Sequence, residues 1–282
     1  MESRNHKPLN WGLGLRPQHY SDLHRQTHLP VLEIITDNLI GHKGGPALAH
    51  TDRLASRTSV LLHGVGLNLG STLDLDSRYI SSLRELNHRF APAVVSDHLC
   101  LSRVGGAASY ELLPVPRTLD SLNLISARVS RVQEALGRPI ALENISAYVE
   151  YRANEFSEGE FLSALVKKTG CGVLLDTNNL YVNSVNFGFD ALEELGKFPI
   201  HAVRQIHVAG HSVQSGCLFD THDQPVSVDV AKLTRALLSE LPDQSIPIIL
   251  EWDDSRTSFE ELSKEFIRTK MQIERGENPR DQ

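Results

Sequence analysis

Eight short apolar runs punctuate the chain, at 11–15, 30–32, 58–62, 92–95, 139–142, 171–175, 203–206 and 246–250. The polar residues reached next are Arg16, Glu33, His63, Asp97 with His98, Glu143, Asp176, His207 and Glu251. Runs this short and rich in Val, Ile and Leu predict strands buried on both faces. Helical periodicities lie between them. Ile80, Leu83, Leu86 and Phe90 recur on one face, as do Leu122, Ile125, Val129, Val132 and Leu136, which Gly137 then stops. Ser157 and Glu160 have capping-box spacing ahead of Phe161, Leu162, Leu165 and Val166, and Gly170 ends that stretch. Val230, Leu233, Leu237 and Leu241 mark a further helix. Phe259, Leu262 and Phe266 mark a last one, expected to close against the first strand. Residues from about 269 to 282 are mixed in charge and predict a polar, exposed tail.

Strand–helix alternation favours parallel pairing with right-handed crossovers. Eight repeats predict a single-domain (β/α)8 TIM barrel over residues 1–282, near the usual length of that fold. An open doubly wound sheet is the alternative, but it concentrates its chemistry at one switch point, whereas here every strand ends on a polar residue. In a closed barrel the C-terminal strand ends share one face, so residues far apart in sequence converge.

Charge and cysteines narrow the class. Lys+Arg 28 against Asp+Glu 35 gives a formal charge of −7, which argues against a broad grip on nucleic acid. Three cysteines (Cys100, Cys171 and Cys217) without a C-x-x-C do not make a disulfide framework and suit a reducing compartment. Met1 to Pro8 contains no apolar signal core, and no run is long enough to span a bilayer, so a cytoplasmic protein is expected. Gly64, Gly66 and Gly70 depart from the dinucleotide fingerprint and are expected to let the backbone turn behind His63; Gly105–Gly106 reads as a loop tip.

The candidate chemistry sits at the strand ends. Ser96-Asp97-His98 offers an imidazole beside a carboxylate, although Asp97 could equally cap a helix. Glu143 and Asp176 follow uninterrupted apolar runs, where a buried carboxylate must be paired, protonated or metal-bound. Asn178 and Asn179 follow Asp176, His207 and His211 share one strand exit, and Asp220 and His222 lie in an acidic loop beyond it. Together the histidines 63, 98, 207 and 222 with Glu143, Asp176 and Glu251 exceed the ligand set of one tetrahedral zinc and predict two or three metal ions. Mixed imidazole and carboxylate donors suit iron, manganese or zinc, and the absence of cysteine at these ends argues against an iron–sulfur cluster.

At these positions the chain resembles the multinuclear non-heme iron-dependent oxidative enzymes, the family of the iron subunit that builds the copper chelator methanobactin. The likeness runs from about 11 to 255. It passes through Gly12-Leu13-Gly14-Leu15-Arg16, Glu33 with Asn38, His63-Gly64 to Gly70-Ser71, and Ser96-Asp97-His98-Leu99. It continues through Leu113-Pro114-Val115-Pro116, Glu143-Asn144 with Tyr148, Leu175-Asp176 with Asn178 to Asn183, His207 to His211, Asp220 with His222, and Glu251-Trp252-Asp253. Thr177 and Val208 depart conservatively from the family's commonest residues. The resemblance implies a xylose-isomerase-like barrel carrying two or three irons. The ligands would be His63, His98, Glu143, Asp176, Asn179, His207, Asp220, His222 and Glu251, with Glu143 bridging. Glu143, Asp176 and His211 would take catalytic roles, while Asp97, Asn144 and His211 orient the ligands. It further implies O2-dependent oxidation of a cysteine, or a residue near it, in a ribosomally made precursor peptide, with a separate partner protein reading the leader. Two other readings share the pattern: a divalent-metal sugar isomerase or phosphodiesterase of the xylose-isomerase-like class, and a non-catalytic metal-holding subunit.

Overall fold

The computed structural model describes residues 10–104, 107–243 and 245–276. Eight parallel strands close into a barrel. They are β1 (Asn10–Gly14), β2 (Val31–Ile35), β3 (Val60–Gly64), β4 (Val95–His98), β5 (Ala141–Glu143), β6 (Gly172–Asp176), β7 (Val203–Val208) and β8 (Pro247–Leu250). All eight apolar runs thus fall on barrel strands. Neighbours in sequence are neighbours in space, and β8 pairs with β1 through Trp11 and Ile248 to complete the ring. The fourth strand lies later than its apolar run, because Ser96, Asp97 and His98 pair with β5 at Ala141, Leu142 and Glu143. The polar tripeptide is therefore part of the barrel wall.

The helices are α1 (Tyr20–Arg25), α2 (Pro46–Ala55), α3 (Ser77–Phe90), α4 (Leu119–Leu136), α5 (Glu158–Thr169), α6 (Thr177–Phe187), α7 (Ala191–Leu195), α8 (Val228–Glu240) and α9 (Phe259–Arg275). Their ends follow local chemistry. Ser157 accepts from the Glu160 N–H and Glu160 reaches back to the Ser157 N–H, a complete capping box at α5. Gly137 and Gly170 end α4 and α5 in the left-handed region, with φ of 69° and 67°. As expected, α9 closes on the first strand: the Trp11 and Phe266 rings meet edge-on at 6.1 Å, and the Trp11 indole donates to Glu274 at 2.9 Å.

The expected exposed tail from 269 is a correction. Helix α9 continues to Arg275, with Thr269, Gln272 and Ile273 buried. The stripe Leu262, Phe266, Thr269, Ile273 keeps helical spacing; its later half uses Thr and Gln, which hid it. Thr269 is satisfied by Glu265 at 3.0 Å, and the Gln272 carbonyl accepts from Arg235 at 2.9 Å. Residues 277–282, Met1 to Pro8 and Gly105–Gly106 lie outside the described residues.

Two antiparallel hairpins stand beyond the C-terminal strand ends. One pairs Cys100–Val104 with Ala107–Pro114 after β4; the other pairs Ser212–Gln214 with Cys217–Phe219 after β7. The second turns through Ser215 and Gly216, both at positive φ, the turn that matches strand twist. Among the described residues no helix is long and apolar enough to cross a membrane.

Candidate metal centre

Strand alternation carries the site. Residues at the ends of β3 to β8 that point inward meet in one buried layer, with the Glu143 carboxylate in the middle. His63 Nε2 and His98 Nε2 each lie 3.2 Å from Glu143 Oε2. His207 Nδ1 lies 3.2 Å from Glu143 Oε1 and 3.1 Å from Glu251 Oε2. His222 Nδ1 is 3.7 Å from the same Glu251 oxygen, and its Nε2 is 2.6 Å from Asp220 Oδ1. Donor atoms of His63, Glu143 and His207 all lie within 4.8 Å of one another, and so do those of Glu143, Asp176, His207 and Glu251. These five carboxylates and imidazoles form two overlapping groups able to hold metal.

Each of the four histidines has one ring nitrogen committed to a protein acceptor. His63 Nδ1 meets Ser96 Oγ at 3.0 Å, and that hydroxyl donates to the Leu62 carbonyl at 3.3 Å. His98 Nδ1 donates to the Gly64 carbonyl at 2.9 Å. His207 Nε2 donates to Glu33 Oε2 at 2.8 Å. His222 Nδ1 donates to Asp253 Oδ2 at 3.1 Å. This assignment leaves the opposite nitrogen of every ring facing the carboxylates, the pattern by which proteins orient imidazole ligands.

Those facing atoms lie close without bonding. Glu143 Oε2, Asp176 Oδ2, Asn179 Oδ1, His207 Nδ1 and His222 Nε2 are buried and make no hydrogen bond among the described residues. An orphaned buried polar atom costs about 1–3 kcal/mol, so several aimed at one space fit a cation and not a hydrogen-bonded core. The electrostatics agree. Burial disfavours the charged form of His63, but Glu143 and Glu33 outweigh it and lift the imidazole to about 9. His207 and His222 are also raised against burial, by Glu251, Glu33 and Glu143 for the first and by Asp220 and Glu251 for the second. Burial pushes Asp176 well above the usual carboxylate range, and the charges of Asp220, Glu143 and Glu251 add to it. Glu251, opposed by burial, is pulled down to about 2 by His207 and His222. Crowded acids and protonated imidazoles in one pocket are what divalent ions replace.

The other residues named from sequence divide. Asn179 Nδ2 donates to the Asn144 carbonyl at 3.1 Å, with its oxygen left toward the cavity. Asn144 clamps the Asp176 main chain, donating to its carbonyl at 2.9 Å and accepting its N–H at 2.8 Å. Asp97 turns outward and accepts the Leu67 N–H at 3.3 Å. Gly64 and Gly66 sit there at ordinary φ. They are small because a Cβ on Gly64 would fall 2.5 Å from Asp97 Oδ2, and one on Gly66 2.2 Å from the Tyr79 ring. Close approach thus adds to the expected turn behind His63, in which Gly66 lies. His211 does not reach the layer. It meets Asn178 Oδ1 at 2.8 Å, and Asn178 Nδ2 donates to Asp220 Oδ1 at 2.7 Å. Not expected from the sequence were the parts of Glu33, Ser96 and Asp253, which hold ring nitrogens of His207, His63 and His222, of Gln205, whose Nε2 lies 2.8 Å from His207 Nε2, and of Arg16, which donates to Asp253. Gln205 and His207 are two apart on one strand and so share a face, which was the available signal.

A family profile described as RiPP precursor modification enzyme MbnB/TglH/ChrH matches residues 10–274, RiPP denoting a ribosomally synthesised and post-translationally modified peptide. The chain belongs to that family. A UPF0276 protein of Acaryochloris marina is 41% identical over 255 residues, covering 90% of this chain and 91% of its own. A UPF0276 protein of Chromobacterium violaceum is 43% identical over 243 residues, covering 86% and 87%. Among solved structures, endonuclease IV from Thermus thermophilus aligns with a TM-score of 0.63 at 16% identity, over 94% of this chain and 99% of that one. The 3-keto-D-glucoside 4-epimerase of E. coli aligns at 0.61 and 11% identity, over 94% and 100%. At such identities the likeness shows the fold alone, a xylose-isomerase-like barrel.

Proposed function

We propose that this member of the family is an iron-dependent oxidase that uses O2 to modify a cysteine, or a residue beside it, in a ribosomally synthesised precursor peptide. The observation that carries the reading is the set of four histidines, each with one nitrogen tied to a protein acceptor and the other turned toward a buried carboxylate, Glu143 for His63, His98 and His207 and Asp220 for His222. His63, His98, Glu143, Asp176, Asn179, His207, Asp220, His222 and Glu251 are the residues that would hold two or three irons. Glu143, with one oxygen near His63 and His98 and the other near His207, would be the bridging ligand. Iron bound there would supply one-electron and oxygen chemistry that the side chains lack.

The chain's own part is positioning. A cavity of about 380 Å³ opens onto the layer, walled by Ile35, Val65, Leu112, Ile145 and Tyr148 as well as by the ligands. It is large enough for a side chain, with an apolar edge beside a mostly polar lining. Glu143 and Asp176 stand at the reacting centre, while His211 acts through Asn178 on Asp220. A separate protein that reads the peptide leader completes the assembly we propose. Its cytoplasmic setting agrees with free Cys100, Cys171 and Cys217. The test is anaerobic reconstitution with ferrous iron, metal analysis, and oxygen uptake with a cysteine-containing peptide encoded beside the gene. Two or three irons per chain and a peptide mass change are expected. A chain that takes up only zinc or magnesium and consumes no oxygen with peptide refutes the proposal.

A further inference from the structure

Arg16 ends β1 at the mouth of the cavity, yet it has no place among the facing imidazoles and carboxylates. Its side chain is only 14% exposed. Nε and Nη2 both donate to Asp253 Oδ1, at 2.9 and 2.6 Å, and Asp253 uses its other oxygen on His222. Nη1 is buried and makes no hydrogen bond among the described residues. The guanidinium lies over Gly14, where a Cβ would stand 2.9 Å from Nη1. Glycine at that position thus leaves room for this one arrangement. Arg16 walls the same cavity as His63, His98, Glu143 and Glu251, and among the described residues it is the only Arg or Lys in that wall.

A guanidinium is always charged, is rigid, and matches carboxylates in shape. Two of its nitrogens are spent fixing its direction; the third is a cationic donor without a partner among the described residues, on a side chain that lines a substrate-sized space. We propose that Arg16 Nη1 receives a carboxylate of the substrate, either a peptide C-terminus or an Asp or Glu side chain next to the modified cysteine. The cavity then reads a thiol and an anion together, the first at the metal layer and the second at Arg16. The inference rests on the peptide-thiol reading above.

The test uses the full chain loaded with Co²⁺, with thiolate binding followed by its charge-transfer absorption and affinity followed by calorimetry. The probes are N-acetylcysteine against N-acetylcysteinamide for the main-chain source. Ac-Cys-Asp-NH2 against Ac-Cys-Asn-NH2 serves for the side-chain source. In the native chain the charged member of at least one pair is expected to bind roughly 10–100-fold more tightly, as for a hydrogen bond to a charged group. In Arg16→Gln the preference falls below about twofold, and in Arg16→Lys, which keeps the charge but not the fork, it is intermediate. Metal content is measured alongside, so that loss of the Asp253–His222 arrangement is seen for itself; Arg16→Lys then decides. A preference absent from the native chain, or equal in native and variant chains, overturns the proposal. A preference that depends on Arg16 without any thiolate absorption sustains the anion site and refutes the thiol reading instead.

Discussion

At the scale of single residues, the ring proton of His207 is the most consequential detail. Glu33 Oε2 accepts from His207 Nε2, which leaves Nδ1 bare toward Glu143 and Glu251. A glutamine at 33 could turn its NH2 toward Nε2 and move the ring proton to Nδ1. Glu33→Gln is therefore expected to lower metal affinity roughly 10–100-fold with an unchanged circular dichroism spectrum, the usual range for losing a partner that orients a ligand. Equal affinity in the two proteins would remove the tautomer assignment. Glu143→Ala acts more bluntly. It takes away the oxygens shared by three histidines, so bound metal and turnover should both be lost while the barrel still folds. Full metal content with unchanged turnover in that variant rejects the bridge. Neither Glu33 nor Gln205 could be given this role from sequence, since Glu33 and His207 are 174 positions apart and meet only when the barrel closes.

At the scale of elements, strands and helices were legible because their signals are local. Apolar runs placed all eight strands, and the Ser157–Glu160 pair placed the start of α5. What escaped was the second half of α9, where Thr269 donates to Glu265 and the Gln272 side-chain oxygen accepts from Arg268, so that polar residues occupy buried positions that hydropathy does not register. The start of α5 yields a pH prediction. Glu158, its first residue, lines a cavity of about 420 Å³ with Arg117, Asn183 and Glu194. Burial raises its carboxyl to about 7; Arg117 pulls the other way, and Glu194 adds to the rise. A raised acid binds its proton more tightly in the folded chain. Its contribution to stability is thus complete below the ordinary value of 4.5 and is lost as pH climbs through about 7. Stability should decline from pH 5 to 7.5 with a component that Glu158→Gln removes. Denaturant midpoints of both proteins across that interval measure it, and parallel curves would disprove it.

At the scale of the whole molecule, the sequence was most informative about where chemistry sits and least about which groups touch. A (β/α)8 ring turns the ends of separate strands into neighbours, so His63, His98, Glu143, Asp176, His207 and Glu251 could be grouped before their distances were known. His211 could not be separated from them, because one strand exit can point a side chain into the mouth or along its rim. The same architecture decides how metal should affect the fold. Glu143 Oε2, Asp176 Oδ2, Asn179 Oδ1, His207 Nδ1 and His222 Nε2, buried and without hydrogen bonds among the described residues, lie together at the C-terminal face, away from the contact of Trp11 with Phe266. An ion held by the native chain and not by the unfolded one adds about 2.7 kcal/mol when present at a hundredfold excess over its dissociation constant. For a chain near this size that is a melting shift of roughly 5–10 °C. Chelation should lower the melting temperature by that order, and faster amide exchange should be confined to the strand ends around Glu143, Asp176 and His207. If the two forms melt together, with loading verified by elemental analysis, the ion does not stabilise this face and the grouping of these residues as one metal layer fails.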